Sequence, residues 1–260
     1  MHDYRDDWNH IADHWDRAIA DGNDFQKTLI IPTTDHLLKP LPGQRILDAC
    51  CGNGNYARRL GRNGSLVTAF DGSSRLIELA KLRHRPEHGT VDYHSADACI
   101  ESEVLAVIGD QNLDAAVCSM AMMDLPTLGP LLSAVRKSLK PGCPFVFSVA
   151  HPAFHSNEPL KYAHQNDGGD DGGNPSQVFG LIVTRYLSDW PHPSRGLLNQ
   201  PRPHMLFHRP LSTLLRECFQ AGFALTALEE PAFPADTRLR SPFTWSRRPE
   251  IPPALVVRLQ

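Results

Sequence analysis

No stretch of this chain stays apolar for the roughly 20 residues that a membrane-crossing helix needs. The first residues, Met1-His2-Asp3-Tyr4-Arg5-Asp6-Asp7, are too polar for a secretory signal, so a cytoplasmic protein with no membrane partner is expected. A basic excess is missing as well. With 26 Lys and Arg against 29 Asp and Glu, the net charge is −3. That balance argues against the clustered positive face of a nucleic-acid binder and favours a small-molecule partner. The six cysteines never form Cys-x-x-Cys, and the thirteen histidines never form His-Glu-x-x-His, so no metal is expected. Cys50 and Cys51 are adjacent, a poor placement for an ordinary disulfide, and Cys99, Cys118, Cys143 and Cys218 are scattered. Buried free thiols are the expectation for all six. At 260 residues and 41% hydrophobic, the chain can bury one sizeable core, as one large α/β domain or as a domain with an inserted cap.

What is present is concentrated in residues 46–54, Ile-Leu-Asp-Ala-Cys-Cys-Gly-Asn-Gly. Ile46 and Leu47 end a short apolar strand, and Tyr56-Ala57-Arg58-Arg59-Leu60 begins a helix, so Gly52 and Gly54 fall in the strand-to-helix turn. Glycines in such a turn let the backbone approach a ligand closely, with a helix N-terminus behind it. This is the pattern of a nucleotide-type pocket. Gly52-x-Gly54-x-x-Ala57 also satisfies the loose dinucleotide fingerprint. The discriminating residue is Asp48, four positions ahead of Gly52, where an acid can take an amine or cationic group.

On these residues the chain resembles the class I S-adenosylmethionine-dependent methyltransferases, whose first motif is two hydrophobic residues, Asp or Glu, three residues of any kind, then Gly-x-Gly. The later stations are similar too. Leu66-Val67-Thr68-Ala69-Phe70-Asp71 reads as a second strand ending in an acid, and the resemblance gives Asp71 the ribose. Residues 91–98 read as a third strand whose last acid, Asp97, resembles the adenine-amine acceptor, with the Ala98 amide facing the ring. Residues 113–119 form a fourth strand, followed by 120–124, where the family lines the methyl-donor pocket. The resemblance thus implies S-adenosylmethionine as cofactor, held by Trp15, Asp48, Gly52, Asn53, Gly54, Asp71, Gly72, Ser73, Asp97, Ala98, Ser119 and Met120. Capping of the next helix by Ser73 or Ser74 already explains its start, which leaves Asp71 available for another task.

Alternating strands and helices predict a doubly wound Rossmann-like α/β sheet of seven strands, mostly parallel. Trp8, Ile11, Ala12, Trp15 and Ile19 have helical spacing, and a second helix is expected over 24–39, interrupted near Pro32. The resemblance makes residues 1–40 a helical lid. Leu128, Leu131, Leu132, Val135 and Leu139 form one apolar stripe, ended by Lys140-Pro141-Gly142, before a fifth strand at 144–150. Residues 151–207 lose periodicity. Their centre, 167–175, has the composition of disorder, whereas 178–186 has that of a strand. The expectation is an insertion capping the acceptor pocket, with 41–150 and 208–260 forming the cofactor-binding domain. A helix from 208, a sixth strand at 223–228 and a seventh at 254–259 follow. The 231–253 link is too short for a helical crossover, which favours an antiparallel closing hairpin.

The activity implied is in-line methyl transfer to a small molecule. An alcohol, phenol or ammonium acceptor must lose a proton, and the candidate bases are His151 first, then His155, with Asp124, Tyr186 and His208 behind them. A nicotinamide-dependent oxidoreductase and a donor-binding protein without transferase activity remain the alternatives.

Overall fold

The computed structural model describes residues 4–110, 112–166, 176–235 and 244–260. The expected disordered centre at 167–175 lies outside these residues.

Seven strands form the central sheet: β1 (Arg45–Ala49), β2 (Leu66–Asp71), β3 (Val91–Ser95), β4 (Ala115–Ser119), β5 (Phe145–Ala150), β10 (Leu225–Glu229) and β11 (Ala254–Leu259). Their order is β10-β11-β5-β4-β1-β2-β3. β1 pairs in parallel with β2 on one side and β4 on the other, so the chain leaves the middle in both directions. That reversal opens a crevice at the carboxyl ends of β1 and β4, the ordinary ligand position in doubly wound sheets. β11 lies between β5 and β10 and runs antiparallel to both, as the short link predicts.

Helices cover both faces. α5 (Glu101–Ile108), α6 (Gly129–Ser138) and α7 (Leu211–Gln220) bury Val104, Ile108, Leu131, Val135, Leu214 and Cys218 with Phe145 and Phe147 of β5. On the other face, α2 (Ile31–Leu38), α3 (Asn55–Arg62) and α4 (Ser74–Arg83) bury Leu37, Tyr56, Leu60 and Ile77 against Ile46, Val67 and Val117. Strands β1, β2, β4, β5 and β11 supply alternate residues to the two cores, as the period of two requires. Ser73 caps α4, its Oγ accepting the Leu76 N–H at 3.1 Å. No helix among the described residues is long and apolar enough to cross a membrane, and all six cysteines are free.

Two differences from the sequence reading matter. The expected lid over 1–40 divides: α1 (Tyr4–Ile19) crosses α4, whereas α2, entered through a one-turn π-helical segment at Gln26–Ile30, packs on β5 and β11 as a face helix. The insertion after β5 is also more regular than its composition suggests. It holds two antiparallel hairpins, β6 (Leu160–Asn166) with β7 (Ser176–Ile182), and β8 (Trp190–Ser194) with β9 (His204–His208). β8 contains Pro191 and Pro193. Two apart, they place both missing N–H groups on the same side of the strand, which in a two-stranded hairpin can be the unpaired edge.

Candidate functional site

A cavity of about 1100 Å³, including the space open to solvent, sits at the ends of β1 and β4. Its floor begins with Asp48. The central position of β1, between Ala69 of β2 and Val117 of β4, leaves this carboxylate 1% exposed. Neither carboxylate oxygen has a hydrogen-bond partner of ordinary geometry among the described residues, although the Ala57 N–H is near enough to favour its charged form. Burial, and then the nearby Asp71 charge, push its pKa up to about 8.

After Ala49 the chain turns sharply. Cys50 adopts a φ of 55° and Gly52 one of 56°, and a Cβ on Gly52 would meet nothing within 4 Å. Asp71, at the end of β2, ties this turn to the start of α4 by accepting the Gly52 N–H and the Ser73 N–H, each at 2.8 Å. Its pKa is raised by burial, against the two amides that favour its charged form. On the other side Met120, also left-handed at φ 55°, ends β4 and donates its N–H to the Ser148 carbonyl at 2.9 Å. Left-handed non-glycine residues thus flank the cavity at the ends of both central strands, a placement common at ligand sites.

Of the residues expected to hold a cofactor, Trp15, Asp48, Gly52, Asn53, Asp71, Gly72, Ser73, Ala98, Ser119 and Met120 line the cavity. Gly54 and Asp97 do not. Gly54 starts α3 with a φ of 72°, and a Cβ there would fall 2.7 Å from Tyr93, so its role is to let the turn pack. Asp97 accepts hydrogen bonds from the Tyr4 hydroxyl and, at 2.8 Å, the Cys99 N–H, with Arg5 at 3.5 Å. It therefore anchors the beginning of α1.

Of the catalytic candidates, His151, His155 and Tyr186 are not among the residues lining this cavity. The pairing of Ala254 with Ala150 brings Pro253 beside the exit of β5, and the loop turns that way. His151 Nε2 meets Glu230 at 2.7 Å, and its ring stacks on Phe154. His155 Nδ1 donates to the Pro253 carbonyl at 3.0 Å, and burial lowers its pKa to about 4. The Tyr186 hydroxyl accepts the Leu211 N–H at the start of α7, and its carbonyl accepts from His208. All three hold loops in place.

Four sets of residues that the sequence reading did not assign complete the site. Tyr4, Arg5 and Trp8 of α1 line it from above. Asn9 of α1 accepts the Ser73 hydroxyl at 2.8 Å. Asp16 takes the Asn53 amide at 3.0 Å and the Arg83 guanidinium, with Nη2 at 2.9 Å. Helix α1 is therefore fastened across the opening from its first residue to its last turn. Finally, His204 of β9 packs its ring 4.7 Å from Trp8 and lies 3.6 Å from Asp124, a lining residue only 6% exposed. β9 buries alternate residues, His204, Leu206 and His208, but its sequence His-Met-Leu-Phe-His has no polar–apolar alternation to announce it.

Residues 46–142 match the model of a family described as "Methyltransferase domain". The chain is 32% identical over 112 residues to a ubiquinone biosynthesis O-methyltransferase of Paracidovorax citrulli, covering 43% of this chain and 46% of that one. It is 30% identical over 135 residues to a magnesium-protoporphyrin O-methyltransferase of Rhodobacter capsulatus, covering 52% and 56% respectively. The chain thus spans about half the length of these curated relatives. Among solved structures, an S-adenosylmethionine-dependent methyltransferase from Mesorhizobium loti superposes with a TM-score of 0.66 at 23% identity, over 88% of this chain and 95% of that one. The likeness is one of fold.

Proposed function

We propose that the chain is a class I S-adenosylmethionine-dependent methyltransferase and that it transfers a methyl group from S-adenosylmethionine to a small-molecule acceptor. The observation that carries this reading is Asp48, a buried carboxylate in the cavity wall with no side-chain partner of its own among the described residues. An anion so placed is costly unless a cation joins it, and the donor brings both a sulfonium and an ammonium. Asp48 takes the positive end of the donor. Asp71 and the Gly52 turn take the ribose, and the Ala98 backbone and Leu76 border the adenine.

The bound donor supplies an electrophilic methyl carbon. The protein's part is to hold the acceptor about 3 Å away, in line and shielded from water. Trp8 and Trp15, in edge contact at 5.0 Å, give the roof that excludes water, and the β8–β9 hairpin supports them from outside. Residues 151–207 act as a cap through this hairpin.

Calorimetry of the purified protein with S-adenosylmethionine, S-adenosylhomocysteine and NAD tests the reading. Heat with the first two and none with NAD is expected. Binding of NAD alone would overturn it in favour of an oxidoreductase. Donor binding without methyl turnover over a broad acceptor panel would leave a donor-binding protein.

A further inference from the structure

The cavity wall contains a second buried carboxylate, Asp124, to which the donor contacts proposed above give no role. Asp124 stands in the short helical turn Met122–Asp124 beyond β4, and its Oδ1 has no hydrogen-bond partner among the described residues. Behind it lies a chain of polar contacts with a defined direction. The indole N–H of Trp15 donates to Gln200 Oε1 at 3.2 Å. That fixes the amide, because Trp can only donate. Gln200 Nε2 must then donate to His204 Nδ1, 3.1 Å away, and to the Arg202 carbonyl at 2.6 Å. With Nδ1 accepting, the neutral ring carries its proton on Nε2, which faces Asp124 Oδ1 at 3.6 Å. Burial keeps His204 neutral by lowering its pKa to about 4. The relay therefore presents an N–H to the carboxylate and takes nothing from it.

We propose that Asp124, oriented by His204 through Gln200 and Trp15, receives the proton of the acceptor, and that the acceptor is a hydroxyl or amine compound, neutral or cationic, rather than a carboxylate or phosphate. This rests on the methyl-transfer reading above. The acceptor's lone pair forms the new bond to the methyl carbon as the carbon–sulfur bond breaks, its electron pair going to sulfur. The proton leaving the acceptor oxygen or nitrogen goes to Asp124 Oδ1. Two features support the assignment. Burial, then the Asp71 charge, raise the proton affinity of Asp124 well above that of an ordinary carboxylate, which strengthens it as a proton acceptor. In the cavity wall Asp16 is paired with Arg83 and Asp48 is taken by the donor, which leaves Asp71 and Asp124 with the Arg5 guanidinium, itself 3.5 Å from Asp97, so an anionic acceptor would meet like charge. His204 is a positioning residue: its Nε2–H faces Oδ1 from 3.6 Å, beyond a direct hydrogen bond, and does not touch the acceptor.

The test uses three ring compounds of similar size on the full chain saturated with S-adenosylhomocysteine: benzylamine, phenol and benzoate, titrated by ligand-observed NMR. Wild type is expected to bind benzylamine and phenol at least about tenfold more tightly than benzoate. In Asp124→Asn that preference should shrink to about threefold or less, with the heat of S-adenosylhomocysteine binding retained as proof of folding. His204→Gln should reduce the preference by about threefold, which a residue serving only in packing would not do. Equal binding of benzoate in wild type, an unchanged preference in Asp124→Asn, or no binding of phenol or benzylamine would each overturn the proposal. A melting-temperature change in His204→Gln with the preference intact would overturn the role of His204. Failure of wild type to bind S-adenosylhomocysteine would instead overturn the function proposed above, and this inference with it.

Discussion

The floor of the cavity is made largely of backbone at the ends of adjacent parallel strands, whereas its roof is made of side chains from segments up to 185 residues apart. On the floor, Asp48, the Gly52 turn and Asp71 follow one another within two strand-turn-helix units, and Asp71 locks the turn through two main-chain amides. In the roof, Trp15, Gln200, His204 and Asp124 come from a helix, a loop, a hairpin strand and a helical turn. A backbone-built site tolerates little change and suits a ligand that never varies. A side-chain-built site can be altered residue by residue, which suits the partner that distinguishes one methyltransferase from another.

If that contrast is right, floor substitutions should damage stability or donor affinity, and roof substitutions should damage turnover. The largest effect is expected from Gly54→Ala. The left-handed backbone and a Cβ 2.7 Å from Tyr93 together should cost about 3 kcal/mol of stability, read as a fall in denaturation midpoint. A loss below ~1 kcal/mol would mean that the floor is softer than described. Asp71→Ala comes next, with donor affinity weakened by about 1–3 kcal/mol in calorimetry. An unchanged affinity would remove Asp71 from the donor site. In the roof, Trp15→Ala should lower turnover by about tenfold while donor affinity and melting temperature move little. Parallel losses of stability and activity would make Trp15 a core residue and erase the contrast.

The gentlest lever is pH. The Asp48 carboxyl of the free protein has its pKa raised to about 8, so below that pH it is neutral and must lose a proton before it can hold a cation. S-adenosylmethionine affinity should therefore rise with pH up to about 8 and fall below it by at most about tenfold per unit. The free protein should behave oppositely. Between the ordinary carboxylate range and pH 8 the unfolded chain binds fewer protons at this position than the folded one, so stability declines as pH rises. Donor affinity that is flat over this window, after correction for buffer ionisation, would dissociate Asp48 from the cationic end.

The same contrast explains what was legible in the sequence. The floor is local, so an acid, two glycines and a second acid at strand ends could be read directly, as could the two helical stripes and the antiparallel close. Asp97 illustrates the limit: its position suggested a ligand contact, but the start of α1 folds back and supplies Tyr4 and Arg5 to it. His151 and His155 lie outside the cavity lining because the antiparallel neighbour of β5 draws their loop toward Pro253, a tertiary event with no local signature. His204 and Gln200 were missed because β8 carries two prolines that disguise a strand, and with it the hairpin that delivers them. Part of the link at 231–253, residues 236–243, lies outside the described structure.

The antiparallel placement of β11 bears on assembly of the chain. β10 has no partner in the sheet except a strand that follows it, and β11 must find both its neighbours at once. A nascent or truncated polypeptide lacking β11 would present the wholly buried β5, with Phe145, Phe147 and Val149, as a sticky open edge. Loss of six residues at the end of the sheet would thus open a strand edge to pairing with other chains.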